Sequence, residues 1–299
     1  MKRIICCVLV ALCAGPLLAE SSSKGAPATW RFSPVARELD PNTRLGWMYL
    51  RGIGTKRNPR KAYRHFEQAA GNGEEQALFM QASLLARGRG IRQDIPRARQ
   101  ILLSLVKNGN PHAAFQLAVW CERNLPCPEG PEQQARWLDY AAGNEVAPAV
   151  LRKGLLLQQT QPKASFALIR HAAEELHFRW GYYQLARAYA QGLGIAQDAP
   201  KALQMMLVAA NENLRTAQFK VAQWYEEGFG TEVNLPQAFY WMQTAAQNGL
   251  PQAQSRLAQM YEQGVGTNVN IKLAKKWARK AEKSAHKPTS KIEELYLWK

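Results

Sequence analysis

Hydrophobic and polar positions follow a helical period along residues 217–248. Small or apolar residues stand at Ala217, Val221 and Tyr225, and steps of four place them on one stripe of a helix. A second stripe of the same kind begins at Ala238. The pattern therefore predicts two consecutive amphipathic helices, each with one buried face.

The two predicted helices are separated by a turn that contains Gly228 and Gly230. Glycine tolerates the left-handed backbone conformation that is needed where a helix ends in a tight turn. Pro236 stands near the start of the second helix, where its missing N–H leaves no hydrogen bond unmade. Asn248 and Gly249 end that helix, so the unit is a helix–turn–helix hairpin.

The same unit recurs along the chain. The second glycine of the turn is found at these positions: Gly54, Gly90, Gly194, Gly230 and Gly266. Successive glycines are 36 residues apart, except for an interval of 104 residues that leaves room for two further, slightly shortened units. We therefore predict seven repeats, roughly 43–73, 74–109, 110–144, 145–175, 176–213, 214–249 and 250–284. Because one hairpin cannot bury both of its faces, the repeats must stack.

The repeated positions resemble the Sel-1-like repeat family, a branch of the tetratricopeptide-like solenoids. The first repeat matches that family with Leu45, Gly46, Tyr49, Gly52, Gly54 and Ala62, and the seventh with Ala253, Leu257, Tyr261, Gly264, Gly266 and Trp277. The resemblance implies an all-α fold, a right-handed α/α solenoid of about seven 36-residue helix–turn–helix repeats over residues 43–284. It also implies a protein–protein interaction scaffold or adaptor that is not an enzyme and has no cofactor.

Two repeats depart from the common pattern. In the third, Asn124 and Pro126 stand where the turn glycines are expected, between Cys121 and Cys127. A lone close pair of cysteines in an oxidising compartment favours a disulfide, and we predict one here, with two free thiols as the alternative. The fourth repeat lacks a Gly-x-Gly turn and is shortened around residues 158–161, where we expect the superhelix to bend.

The first nineteen residues have the features of an export signal. Two basic residues precede an apolar run over residues 4–12 that is too short for a membrane span, and Ala19 offers a small residue for signal-peptidase cleavage. The alternative is a lipoprotein signal in which Cys13 is acylated. We therefore expect a periplasmic protein without a membrane span, and secretion or a lipid anchor is the alternative.

Short segments flank the repeats. Residues 20–42 are rich in serine, proline and alanine, and we interpret them as a linker and an N-terminal cap. In residues 285–299, four apolar side chains could share one face of a short helix: Ile292, Leu295, Tyr296 and Trp298. We predict a C-terminal capping helix in this segment, with a docking tail for a partner as the alternative.

The chain is strongly basic, with 39 basic and 23 acidic residues and a formal net charge of +16. Such a charge favours anionic partners such as acidic proteins, lipid headgroups or anionic polysaccharides. Export argues against nucleic acid. A second functional hypothesis is therefore the binding of an anionic envelope polymer, either a polysaccharide or a polymer linked to peptidoglycan.

Stacked hairpins present a concave surface that is lined by the first helix of each repeat. We predict that a protein or peptide of the cell envelope binds there. The candidate binding residues stand outside the predicted buried stripe: Met48, Met80, Leu84, Gln116, Trp120, Arg187, Lys220, Trp224, Arg256 and Met260. Apolar anchors interleaved with basic residues suit an extended or helical acidic peptide.

We find no catalytic or metal-binding motif in the sequence, and the histidines share no position of the repeat. A third hypothesis, a β-lactam-binding or β-lactam-hydrolysing enzyme, comes from the resemblance alone, through cysteine-rich secreted members of the family. Three Ser-x-x-Lys motifs would suit that chemistry: Ser21/Lys24, Ser104/Lys107 and Ser284/Lys287. We expect neither an enzyme nor a metal site.

Overall fold

A computed structural model describes residues 40–122 and 130–285. These residues form fourteen α-helices and no strand. The helices are α1 (Pro41–Arg51), α2 (Pro59–Gly71), α3 (Glu75–Arg87), α4 (Ile95–Lys107), α5 (Pro111–Glu122), α6 (Gly130–Gly143), α7 (Ala147–Leu156), α8 (Pro162–Glu174), α9 (Arg179–Gln191), α10 (Ala199–Asn211), α11 (Arg215–Glu227), α12 (Leu235–Gln247), α13 (Pro251–Gln263) and α14 (Ile271–Ala285). The predicted export signal, Cys13, nearly all of the predicted linker and N-terminal cap, and residues 286–299 lie outside the described residues.

The helices pair into seven consecutive hairpins, and each hairpin has a first, odd-numbered A helix and a second, even-numbered B helix. Each helix packs against the helices that precede and follow it in the chain, and α7 also contacts α9. Hairpins that contact only their neighbours in sequence form a solenoid. The prediction of an all-α solenoid is therefore confirmed.

An asparagine or aspartate closes each regular turn and caps the B helix. The backbone N–H of Asn234 donates to the carbonyl oxygen of Tyr225 at 2.8 Å, and its Oδ1 accepts from the N–H of Gln237 at 3.1 Å. The same pair of bonds recurs at four other capping residues: Asn58, Asp94, Asp198 and Asn270. One side chain thus satisfies an N–H that the helix itself leaves unpaired.

The second glycine of the turn brings the turn into contact with the preceding repeat. Gly230 has a φ of 73°, and a Cβ there would lie 2.3 Å from the carbonyl oxygen of Ala199, the first residue of α10. Equivalent contacts with the preceding B helix occur at Gly90, Gly194 and Gly266. Glycine is therefore required for packing between repeats as well as for the backbone conformation of the turn.

The core runs along the solenoid as two clusters that meet at α7. The first cluster spans residues 62–149 and the second spans residues 147–274. Ala217, Ala245 and Ala246 are completely buried at helix contacts. Small side chains at these positions let neighbouring helices approach closely, which is how a chain with few large apolar residues per repeat still forms a dense core.

The fourth hairpin differs from the others, as the sequence predicted. Its turn, residues 157–161, has five residues and no glycine, whereas residues 192–198 form a seven-residue turn in the fifth hairpin. Helix α7 is ten residues long, compared with thirteen for α9. The expected bend of the superhelix at this point stays a prediction.

The disulfide is predicted in the third turn. Cys121 is partly buried near the end of α5. Cys127 lies outside the described residues, so the bond between the two cysteines stays a prediction.

Candidate functional site

Six of the ten residues predicted to line a partner-binding surface are buried, so the expectation that they are exposed is wrong. They are Met80, Leu84, Gln116, Trp120, Trp224 and Met260. Trp224 exposes 4% of its surface, and its ring centroid lies 4.8 Å from that of Phe229 in the following turn. Each inner A helix packs between two B helices, one before it and one after it, so its buried face is wider than the single stripe that the sequence pattern indicated.

The other four predicted residues remain accessible. Arg187 is exposed, and Met48, Lys220 and Arg256 are partly exposed. Their role in binding a partner stays a prediction.

The three accessible cations are held in place by glutamines of their own helices. Nη1 of Arg187 donates to Oε1 of Gln184 at 3.1 Å, and Nη1 of Arg256 donates to Oε1 of Gln259 at the same distance. Lys220 contacts Gln223 in the same way at 3.4 Å. In addition, Arg256 pairs with the carboxylate of Glu226 on the preceding A helix. These bonds orient the cations on successive A helices.

A row of aromatic side chains lies on four A helices, two of which also carry Arg187 and Lys220, and it was not predicted from the sequence. Its members occupy equivalent positions of four A helices and are partly exposed while one side packs on the core: Phe79, Phe115, Tyr183 and Phe219. Tyr183 stands four residues before Arg187, and Phe219 stands four residues before Gln223, so each pair shares one helix face. The spacing of 36 residues from Phe79 to Phe115, and from Tyr183 to Phe219, was the signal that would have identified the row.

We call this surface the A-helix face and define it by Phe79, Phe115, Tyr183, Arg187, Phe219, Lys220, Gln223 and Arg256. It combines accessible aromatic area with amide and guanidinium donors. Aromatic residues and arginine are the residue types that contribute most to binding at protein interfaces. The A-helix face is therefore suited to recognising a polypeptide.

The excess positive charge is concentrated at the two ends of the sequence. The first 109 residues contain 18 basic and 7 acidic residues, and the last 30 contain 9 basic and 3 acidic residues. The 160 residues between them contain 12 basic and 13 acidic residues and are nearly neutral. The part of the A-helix face that extends from the third repeat to the sixth therefore lies in a nearly neutral part of the chain, although the whole chain is strongly basic.

One concentration of charge lies at the turns of the first two repeats. Four cations are exposed there: Lys56, Arg57, Arg60 and Arg92. A Cβ on Gly90 would lie 2.5 Å from the backbone nitrogen of Arg60, so the second turn packs directly against the start of α2. Glu232 occupies the position equivalent to Arg92 in the sixth repeat. We call these four cations the basic edge.

A second concentration of charge lies on α14. Lys272, Lys276, Arg279 and Lys283 are exposed and follow one another at intervals of four, three and four residues. That spacing places them on one stripe of the helix. The last helix therefore presents a row of cations.

No metal-binding cluster is found within the described ranges. They contain no group of three or more His, Cys, Asp or Glu residues that is able to hold a metal ion. The Ser104 hydroxyl, part of one Ser-x-x-Lys motif, donates to the carbonyl oxygen of Ile101 in its own helix at 2.8 Å. The motifs Ser21/Lys24 and Ser284/Lys287 lie wholly or partly outside these ranges.

Among the helices described, none combines the length and the apolar character that are needed to cross a membrane.

Two solved structures are similar to this fold. A Sel1 repeat protein from Oxalobacter formigenes shares 24% sequence identity, with a TM-score of 0.64 over 85% of this chain and 75% of that chain. The second, c5321, is a protective antigen present in uropathogenic Escherichia coli strains that displays an SLR fold. It shares 23% identity, with a TM-score of 0.62 over 85% of this chain and 58% of that chain.

Comparison with curated proteins finds none that matches the chain. By contrast, the family model described as the Sel1 repeat matches residues 42–74, 76–110, 181–214, 216–250 and 251–286. These five segments coincide with the first, second, fifth, sixth and seventh hairpins and together cover more than half of the sequence. The chain therefore belongs to the Sel1 repeat family.

Proposed function

We propose that the protein is a non-enzymatic scaffold of the bacterial cell envelope that binds a partner protein or peptide through the A-helix face. The observation that carries the proposal is the row of partly exposed aromatic side chains beside oriented cations and amides on the A helices. A stacked solenoid offers such a row on a rigid support, so little order has to be created when a partner binds. The predicted export signal supports a periplasmic location.

The contacts on the A-helix face indicate what kind of partner fits. Tyr183 and Phe219 offer ring surface to apolar side chains of a peptide. Gln223 and the neighbouring cations offer donors for backbone carbonyls or carboxylates. Since Glu226 neutralises Arg256, the face does not have a large excess of charge, and affinity for a partner should depend mainly on apolar contact.

A crosslinking capture experiment tests this proposal. The purified protein is immobilised and exposed to envelope extract at about 0.1 M and about 1 M salt, between which the screening length falls from about 10 Å to about 3 Å. The test variant is Tyr183→Ala/Phe219→Ala. The control is Tyr240→Ala, which removes a ring that is 56% exposed on α12, away from the A helices. Circular dichroism verifies that each variant is folded.

We expect the wild type and the Tyr240→Ala variant to capture the same protein at both salt concentrations. The double variant should lose that protein. If all three proteins recover the same material at the same yield, the A-helix face is not the binding surface.

The basic edge supports a second candidate function, binding of an anionic envelope polymer. Lys56, Arg57 and Arg60 are exposed in the first turn and at the start of α2, and the second turn, which carries Arg92, packs against the start of α2. Binding of a polyanion to such cations weakens as salt increases. The experiment measures binding to dextran sulfate and to isolated peptidoglycan. Loss of binding in a Lys56→Gln/Arg60→Gln/Arg92→Gln variant, with unchanged binding in the Tyr183→Ala/Phe219→Ala variant, would support this candidate. Equal binding by both variants would exclude the basic edge.

A further inference from the structure

Gln218 of α11 is buried and joins three helices inside the solenoid. Its Nε2 donates to the carbonyl oxygen of Ala210 in α10 at 3.1 Å, and its Oε1 accepts from Nδ2 of Asn248, which follows α12, at 2.8 Å. Gln254 of α13 repeats the first half of this arrangement, since its Nε2 donates to the carbonyl oxygen of Ala246 at 3.1 Å. Each amide thus links an A helix to the B helix before it.

Among the residues described, Gln254 lacks a counterpart of the hydrogen bond that Oε1 of Gln218 accepts from Asn248. Its side chain is completely buried, and its Oε1 has no hydrogen-bond partner in the described part of the chain. The residue equivalent to Asn248 is Ser284, next to the last residue of α14. The unpaired oxygen therefore lies near the end of α14, where the chain continues into residues 286–299. A buried acceptor without a donor is unfavourable, so a donor from a further segment would stabilise this end of the solenoid.

A groove of about 700 Å³ lies between α13 and α14. Five of its thirteen lining residues are alanines, and half of the others are polar residues of α13. The alanines are Ala258, Ala274, Ala278, Ala281 and Ala285. Ala278 is exposed, whereas Met242 at the equivalent position of α12 is completely buried. The difference arises because the next A helix, α13, packs against α12. The groove is thus the surface on which a further helix would pack if the solenoid continued.

We propose that residues 286–299 of the same chain occupy this groove as a terminal helix. The segment begins immediately after Ala285, which lines the groove. Only residues 286–289 separate α14 from Ser290, where the sequence Ser290-x-x-Glu293 is typical of the start of a helix. Elsewhere a B helix is connected to the next A helix by three residues, such as 248–250, or by four, as in 175–178. The segment therefore enters the groove where an A helix of another repeat would begin.

The composition of the segment matches the groove. Its four apolar residues at helical spacing, Ile292, Leu295, Tyr296 and Trp298, are large enough to fill a groove lined in part by alanine. Both surfaces carry charges of both signs: Glu262, Lys275 and Glu282 border the groove, and the segment contains Lys291, Glu293, Glu294 and Lys299. The segment therefore matches the groove through the size of its apolar side chains.

Two leucines of the segment provide a matched test. On a helix, Leu295 points to the apolar face with Ile292, whereas Leu297 points to the opposite side. Hydrogen–deuterium exchange is measured on the wild-type protein and on the Leu295→Ser and Leu297→Ser variants. We expect Leu295→Ser to speed exchange of the α13 and α14 amides by about tenfold or more, with no change in α9 and α10. Leu297→Ser should leave exchange at the wild-type rate.

Equal exchange in the wild type and in the Leu295→Ser variant would overturn the proposal. A second copy of the protein in the groove would also overturn it. That case is recognised by a dimer in size-exclusion chromatography with light scattering and by loss of α13 and α14 protection on dilution. Protection that does not depend on protein concentration supports an intramolecular contact.

Discussion

Gly230 in the sixth turn lies against the backbone of Ala199 in the preceding repeat, so that a Cβ would approach the Ala199 carbonyl oxygen to 2.3 Å. Gly54 has a similar positive φ of 65° but has no neighbouring backbone atom within 4 Å, because no repeat precedes it in the described part of the chain. Both glycines therefore meet the backbone requirement of the turn, but only Gly230 also takes part in packing between repeats. The contact at Gly230 exists only in a stacked solenoid.

We expect Gly54→Ala to lower the free energy of unfolding by about 1–2 kcal/mol, from the left-handed conformation alone. Gly230→Ala should lower it by about 1–3 kcal/mol more, because the added methyl group also overlaps the neighbouring repeat. Urea unfolding of both variants measures the difference. Equal losses of stability would contradict the packing role of Gly230.

Trp224 and Arg187 were both predicted as partner-binding residues but lie in different environments. Trp224 exposes 4% of its surface, whereas Arg187 is exposed. Trp224→Ala should therefore lower the free energy of unfolding by about 3–5 kcal/mol. Arg187→Ala should change it by less than about 0.5 kcal/mol. Thermal unfolding of both variants checks this expectation, and a stable Trp224→Ala variant would argue that the tryptophan is not a core residue.

We predict that the Asp198 carboxylate makes a pH-dependent contribution to the stability of the protein. The N–H of Lys201 donates to its Oδ1 at 3.0 Å, and this bond, with the nearby Lys201 ammonium group, holds the pKa of the Asp198 carboxyl below its usual range. A lowered folded-state pKa stabilises the protein fully above the unfolded value, about 3.9. That stabilisation is lost as the pH falls through the folded-state pKa.

Asp198→Asn keeps the capping acceptor, as Asn58, Asn234 and Asn270 do at equivalent turns, and removes the titrating group. Between about pH 6 and pH 2, the melting temperature of the wild type should therefore fall more steeply than that of the variant, with the difference confined to pH values below about 4. If the melting temperatures of the wild type and the variant change in parallel over the whole pH range, the cap at Asp198 does not depend on its charge.

The cysteines give a prediction about redox state. The predicted cleavage after Ala19 would leave only Cys121 and Cys127 in the chain. Alkylation under denaturing conditions without reductant should label neither of them, and mass spectrometry after reduction should detect two labelled thiols. We expect Cys121→Ser to lower the free energy of unfolding by about 2 kcal/mol, because the closed loop is short. Two labelled cysteines before reduction would exclude the disulfide.

The sequence was sufficient to predict the helices and their order. Helical periodicity and glycine spacing are local signals, and residues such as Gly54 and Gly266 mark each turn directly. The contact of Gly230 with Ala199 was not predicted, because it depends on how one repeat packs on another. The same limit explains the error at Trp224 and Met260, where a helix that packs between two others buries more than one stripe.

The candidate site was predicted only in part. Lys220 and Arg256 are accessible on neighbouring A helices. The sequence indicates this because both residues stand outside the periodic set of buried positions. Phe79 and Phe219 were missed because an aromatic residue beside a buried alanine has the same pattern as a core residue. Their partial exposure depends on the packing between repeats.

Site-specific photocrosslinking in living cells tests the central claim most directly. A photoreactive phenylalanine analogue is placed at Phe219 on the A-helix face, at Tyr240 on α12 or at Arg60 in the basic edge, and adducts are identified by mass spectrometry. We predict a protein adduct at position 219 that is absent at positions 240 and 60. Adducts only at position 60, or equal adducts at all three positions, would contradict a partner-binding role for the A-helix face.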